Sequence, residues 1–376
     1  MGRVSVTPPP PPVAADHEPW VGHESSLSGR YVTVVVAALS TIMLSLVAFI
    51  LPVPYATLEP GPVFDTLGEF NGEPMLAVQD GVQTYPTDGA LDFTTVSVTS
   101  PSGRVSFTEA LAAWFNSDVK LVPKDFLYPE GETVEQSDAR SAAQLASSKD
   151  NSTVAALRAL GYDVPEQVAV AEVLKDGASA DVLEAGDVIT SVNGTAVSTP
   201  QQAIDVVATA TPGDQVSLVV SRDGVSQELA VTTKAAEDDP DVPRIGVSLT
   251  PTFDLPIQID NNVGDSVGGP SAGTMFALAI YDLLTPGSLT GGQRIAGTGE
   301  ITPEGQVGAI GGVRQKMAGA HADGAEIFLV PAENCAEAAD GDDFGMTLVK
   351  ITTLDDAISS LETLADDPDA KVPSCS

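Results

Sequence analysis

Twenty-one consecutive residues, Tyr31 to Leu51, read YVTVVVAALSTIMLSLVAFIL and hold no charged side chain. As a helix rising about 1.5 Å per residue, such a run spans the ~30 Å hydrocarbon core of a bilayer. A cleaved secretory leader is the other reading of an apolar run so near the N-terminus. This run exceeds a leader's apolar core and no A-x-A site follows it, so an uncleaved anchor is expected over residues 31–51. Arg30 stands at its N-terminal edge, and Glu59 and Asp65 are the first charges after it. That asymmetry puts residues 1–30 on the cytoplasmic side of the cell membrane and everything after residue 51 outside it. Residues 1–30 carry the run Pro8 to Pro12 and little that is apolar, so a disordered cytoplasmic tail is expected there.

The remaining length is enough for two or three domains. Against 52 Asp and Glu there are 17 Lys and Arg, a formal charge of -35. Nucleic acid is thereby excluded as a partner, and anionic membrane surfaces are poor partners for the bulk of the chain. Two cysteines, Cys335 and Cys375, leave two readings in an extracytoplasmic setting. Either they form a disulfide that staples the C-terminal tail to the last domain, or both are free thiols.

Past the apolar run, residues 52–160 begin with a stalk rich in Pro and Gly, PVPYATLEPGPVFDTLG. ALDFTTVSVTS (90–100) alternates as a strand, SFTEALAAWFN reads as a helix, and an Ala-rich helical stretch from about Val134 to Leu160 is expected to break near Asn151. Residues 161–234 change to short strands, with Asp223-Gly224 as a hairpin turn and a helix capped by Ser198 or Thr199 with Pro200 in its first turn. Within them ASADVLEAGDVITSVNGTAVSTPQQAIDVV resembles a PDZ domain, a small barrel-like sheet with helices. Members of that family bind C-termini or extended peptides by strand addition. The carboxylate-binding loop is expected before VAVAEVL, yet GYDVPEQV shows no glycine-hydrophobic signature, which leaves peptide capture and a purely structural role both open. KAAEDDPDVPRIG is an acidic linker opening the last domain, residues 235–365, and 366–376 form a tail.

The chemistry gathers in GGPSAGTMFALAIYD, residues 268–282. An apolar helical run follows Ser271, with Phe276, Ala279, Ile280, Leu283 and Leu284 on one face. Pro270 suits a first turn, so Ser271 is predicted at a helix N-terminus, where backbone N–H groups and the dipole favour an oxyanion. Gly268, Gly269 and Gly273 suggest clearance for a substrate backbone. A capping serine is the plainer reading, and the choice turns on a base. Beyond residue 51 the chain has one histidine, His321, in the alanine-packed KMAGAHADGAE, a poor setting for a Ser-His-Asp arrangement. Lysine also activates serine when burial depresses its pKa. Lys316 follows the Gly311-Gly312 turn at the start of a predicted helix among Val307, Ile310, Val313 and Met317, whereas Lys350 in MTLVKITT has no comparable surroundings. Glu300 and Asp265 are read as solvated or capping carboxylates.

GGPSAGTMFALAIYD followed by IAGTGEITPEGQVGAIGGVRQKMAGAHADGAEIFLVPAEN resembles the proteolytic domain of Lon-type serine proteases. The resemblance implies Ser271 as nucleophile, Lys316 as general base and Thr298 orienting the lysine, with Gly269 and Ala272 as supporting positions. It requires no cofactor and no metal, and it allows ring assembly. With the anchor, the stalk and the PDZ-like module, the layout is similar to the membrane-anchored, YlbL-like branch of that family. Two departures from Lon stand out: Gly268 replaces an acidic residue before the Gly-Pro-Ser-Ala-Gly stretch, and the segment between helix and strand is longer. No Walker motif occurs, so ATP-independent cleavage of unfolded or membrane-proximal polypeptides is expected. The expected fold class is α+β: one transmembrane helix, a PDZ module, and a protease domain to which residues 91–116 add strands. A non-proteolytic PDZ scaffold and a zymogen-like protease switched on by peptide binding or oligomerisation are the competing readings.

Overall fold

The computed structural model describes residues 27–264 and 266–375. Residues 1–26 of the expected tail, and Asp265, lie outside the described residues. The described residues divide into two compact units, one of residues 27–52 with 106–108 and one of residues 53–105 with 109–375.

In the first unit, helix α1 (Leu27–Ile50) carries the uncharged run. Its stretch Gly29–Phe49 has a mean hydropathy of 2.4 and no buried face, so it is long and apolar enough to cross a membrane. The Phe49 ring meets Phe107 edge-on at 6.3 Å, and Phe107 N donates to Leu51 O.

The second unit begins with β1 (Tyr55–Asp65) and β2 (Ala90–Val98), takes in α2 (Phe107–Trp114) from Glu109 onward, and continues through β3 (Lys120–Pro123), the one-turn α3 (Lys124–Leu127) and α4 (Val134–Ala159). A second group of strands then follows: β4 (Glu166–Val173), β5 (Val188–Val192), helix α5 (Pro200–Val207), β6 (Gln215–Arg222), β7 (Val225–Thr232) and β8 (Val247–Phe253). The chain closes with α6 (Gly273–Leu284), β9 (Arg294–Gly297), α7 (Val313–Ala322), β10 (Ile327–Pro331), β11 (Thr347–Ile351) and α8 (Leu354–Asp366).

One six-stranded sheet has the order β11-β10-β9-β2-β1-β3. β2 runs parallel to β9 with Leu91 opposite Ile295 and Phe93 opposite Gly297, so residues far apart in sequence share one sheet. Ala90 to Thr94 are all buried, as expected of a strand covered on both faces. Phe93 stacks on Phe64 at 5.2 Å and meets Phe276 edge-on at 5.3 Å, which locks α6 onto the sheet. The sequence suggested a single apolar face for α6. Instead every residue from Gly273 to Ile280 is buried, because α4 covers the side away from the sheet.

α4 is continuous through Asn151, where a break was expected. Thr133 and Gln136 form a reciprocal capping box at its start. At the expected break, Asn151 Nδ2 donates to Ile301 O at 3.2 Å, while the Ser152 and Thr153 hydroxyls return to Lys149 O. The polar side chains thus bond without displacing the helix backbone. The intervening strands form a separate antiparallel sheet, β7-β6-β5-β4-β8, with its own core around Ile189, Leu218 and Val220. β8 is the edge strand of that sheet, paired antiparallel with β4.

Candidate active site

Ser271 stands one residue before the Ala272 cap of α6, so Pro270 precedes the helix rather than opening it. The serine is held by its backbone: its carbonyl accepts from Gly299 N at 2.8 Å and from Thr298 Oγ1 at 3.0 Å. α4 holds the approach to it. Ser148 Oγ donates to Pro270 O at 2.9 Å and Gly269 N donates to Ser141 O at 3.0 Å.

The glycines around it serve packing more than access. A Cβ on Gly273 would lie 2.7 Å from Ser148 Oγ and 2.9 Å from Ile301 Cγ2, and one on Gly268 would lie 2.8 Å from Ser141 Cβ. Only Gly269 of the three faces open space, with φ +87°, a conformation that suits glycine. The expectation that all three clear a path for substrate is therefore corrected to Gly269 alone. The serines of α4 that close on this loop were not picked out from the sequence. Nothing in the local sequence marks Ser141 or Ser148 on this long helix as a neighbour of that loop.

Lys316 is the fourth residue of α7, whose Gly312 cap has φ +71°. The lysine is only 2% exposed, between Val313 and Met317, which are fully buried. Its Nζ lies 2.7 Å from Ser271 Oγ and 2.8 Å from Thr298 Oγ1. Desolvation pushes its pKa down to about 7, against the opposing pull of the Glu300 carboxylate. A neutral amine is then abundant near neutral pH. Thr298, fully buried, bridges the lysine to the Ser271 carbonyl. The N–H groups of Ser271 and Ala272 have no partner among the described residues, whereas that of Gly269 is taken by Ser141.

Two other candidates, His321 and Lys350, lie apart from this cluster, whereas Glu300 acts on Lys316 through charge. His321 is exposed at the far end of α7, where its ring stacks on Phe344 at 5.1 Å. Lys350 is exposed on β11. Glu300 is exposed and its carboxyl pKa is raised by partial burial. Among the described residues no group of three or more His, Cys, Asp or Glu could hold a metal ion. Cys335 and Cys375 form a disulfide with their Cα atoms 5.0 Å apart.

In the second sheet, a groove of about 800 Å³ lies between α5 and the edge strand β8, lined by Ile204, Val207, Ile245, Val247 and Leu249. Its glycine-hydrophobic turn is Ile245-Gly246-Val247, immediately before β8, with Gly246 at φ +75°. The turn was sought before β4. It stands at the other end of the module because the edge strand comes last in sequence here, after the hairpin.

Residues 132–233 match the PDZ domain family, so the match takes in α4, and residues 263–361 match the Lon protease (S16) C-terminal proteolytic domain. The Lon protease of Fusobacterium nucleatum is 48% identical over 66 residues, 18% of this chain and 8% of that one. That of Clostridioides difficile is 48% identical over 65 residues, 17% and 8% of the two chains. Lon protease 1 of Thermus thermophilus is 40% identical over 85 residues, 23% and 10%. The chain thus spans 8–10% of the length of these relatives. The PDZ domain of an SdrC-like protein from Listeria monocytogenes is 31% identical over 22% of this chain and 86% of that one, with a TM-score of 0.21. The chain is a mixed α+β protein that carries a PDZ domain and a Lon-type serine protease domain.

Proposed function

We propose that this Lon-type domain is the catalytic part of a membrane-anchored, extracytoplasmic, ATP-independent serine endopeptidase that works through a Ser271–Lys316 dyad. The observation that carries the reading is the 2.7 Å approach of a buried lysine amine to the Ser271 hydroxyl. In the neutral state the Nζ lone pair accepts the Ser271 proton while one N–H donates to Thr298 Oγ1. Oγ attacks the substrate carbonyl carbon, and the resulting oxyanion faces the N–H groups of Ser271 and Ala272. The ammonium then returns its proton to the leaving amine as the C–N bond breaks. Water attacks the ester, giving its proton to Lys316, and collapse of that second intermediate releases the acid and restores Ser271. No group besides these residues is needed, and no P-loop sequence occurs in the chain.

The apolar α1 supports the anchor, and the Cys335–Cys375 disulfide supports an oxidising, extracytoplasmic compartment. Polypeptides are the substrates, and the α5–β8 groove supports their recognition, or that of a partner, by strand addition to β8. A peptide-regulated enzyme is the second reading, favoured by connectivity. After β8 the chain runs through residues 254–270 to Ser271, so the groove edge and the loop that carries the serine are consecutive in sequence.

A serine-reactive fluorophosphonate tests the reading on the full-length protein. Labelling of the wild type that vanishes in both Ser271→Ala and Lys316→Ala supports it, and an unlabelled, folded protein that stays inert after adding peptides with free C-termini counts against both forms.

A further inference from the structure

Outside the active site and the groove, the feature that stands out is a set of large apolar side chains with no cover. Trp114, Phe115 and Phe126 are 80%, 82% and 85% exposed, and Leu111 joins them at 44%. On α2 the two faces differ. Ala113 is buried, and Glu109, Ala112 and Asn116 line a cleft against the sheet. Leu111, Trp114 and Phe115, at spacings of three and four, share the opposite side. Three exposed aromatic rings cost more in water than scattered single leucines, which need no explanation.

Chain connectivity says what covers them. α2 starts at Phe107, whose N–H is bonded to Leu51 O just past the end of α1. Seven residues along a helix rise only about 10 Å, which bounds the distance from there to Trp114. Lys124 N donates to Pro54 O, four residues past Ile50, and Phe126 follows two residues later. Fully extended, that tether allows about 20 Å. A helix of 24 residues is about 36 Å long, more than the ~30 Å hydrocarbon core, so its end lies in the headgroup layer. Tryptophan and phenylalanine at that depth bury an apolar body beside the acyl chains. Charge permits the approach: residues 98–128 hold three acids (Glu109, Asp118, Asp125) and three bases (Arg104, Lys120, Lys124), neutral in a chain of net charge -35.

We propose that the Leu111–Trp114–Phe115 face and Phe126 dock into the lipid interface of the membrane spanned by α1, fixing the body of the protein against the bilayer surface. This rests on the anchor reading above. The effect is to hold the protease domain at one height over the membrane rather than on a free tether.

The sequence supplies its own probe, because its two tryptophans are Trp20 and Trp114. The full-length Trp20→Phe protein would be reconstituted into phosphatidylcholine vesicles carrying lipids brominated at shallow or at deep acyl positions. Flotation reports the anchor independently. The proposal expects flotation, blue-shifted Trp114 emission and about twofold quenching by shallow-brominated lipid, weakened in Phe115→Ser/Phe126→Ser. A floating protein whose Trp114 emission is that of a water-exposed ring overturns the proposal and leaves the anchor standing. Blue-shifted but unquenched emission also overturns it, since a protein surface then covers the patch. Failure to float removes the anchor reading and the docking proposal together.

Discussion

Lys316 Nζ and Ser271 Oγ stand 2.7 Å apart across a separation of 45 residues, with the amine sealed from solvent. Its pKa of about 7 sets the pH dependence. Below that value the amine holds its proton and cannot act as base, so kcat/KM for a fluorogenic peptide is expected to rise about tenfold per pH unit up to pH 7 and level off above pH 8. Lys316→Arg, charged at every working pH, is expected to lose about 10³-fold or more. A flat profile from pH 5 to 9 would remove Lys316 from the role of base.

Thr298 Oγ1 accepts a hydrogen bond from that amine at 2.8 Å. Thr298→Val keeps the shape but leaves a lysine N–H without its acceptor and takes a donor from the Ser271 carbonyl. We expect kcat to fall about 10- to 100-fold with KM little changed, and stability to fall by about 1–3 kcal/mol. Thr298→Ser should restore most of both. A serine variant as impaired as the valine one would mean that the hydroxyl alone does not account for the role of Thr298.

Glu300 acts on Lys316 through charge. Its carboxylate favours the ammonium and so works against desolvation. Glu300→Gln is expected to lower the Lys316 pKa further, moving the acid limb of the rate profile to lower pH with the plateau kept. A limb moving to higher pH would mean that the carboxylate shapes the site by another route.

The approach of Lys316 to Ser271 was legible because two short runs, around each of these residues, concentrate unusual residues in a helix-entry context. What α4 contributes was not. Ser141 and Ser148 reach the loop before α6 only through tertiary packing, and nothing local marks a serine on a long helix as a neighbour of Pro270. The break expected at Asn151 failed for the same reason, since its partner, Ile301 O, is 150 residues away. Likewise the PDZ turn was sought at the front of the module. Strand order in the sheet, which alternation of side chains does not encode, put Ile245-Gly246-Val247 beside α5 at its end. Hydrophobic periodicity predicted α6 as a helix but not that it would be wrapped on every side.

The disulfide gives a prediction about stability. Cys335 and Cys375 pack at the rim of the core beneath α7, and between them the tail returns to β11, with Lys350 N donating to Pro373 O at 2.9 Å and Ser374 bridging Val349. Cross-linking residues 40 apart removes loop entropy from the unfolded chain, worth about 2–4 kcal/mol. Because that term acts mainly on the unfolded state, reduction should lower Tm by several degrees while dyad labelling below the transition is unchanged. Cys335→Ser/Cys375→Ser should show the same lowered Tm and no further response to reductant. A Tm indifferent to reductant in the wild type would mean that the tail's backbone bonds alone hold it in place, and would remove the support the disulfide lends to an oxidising compartment.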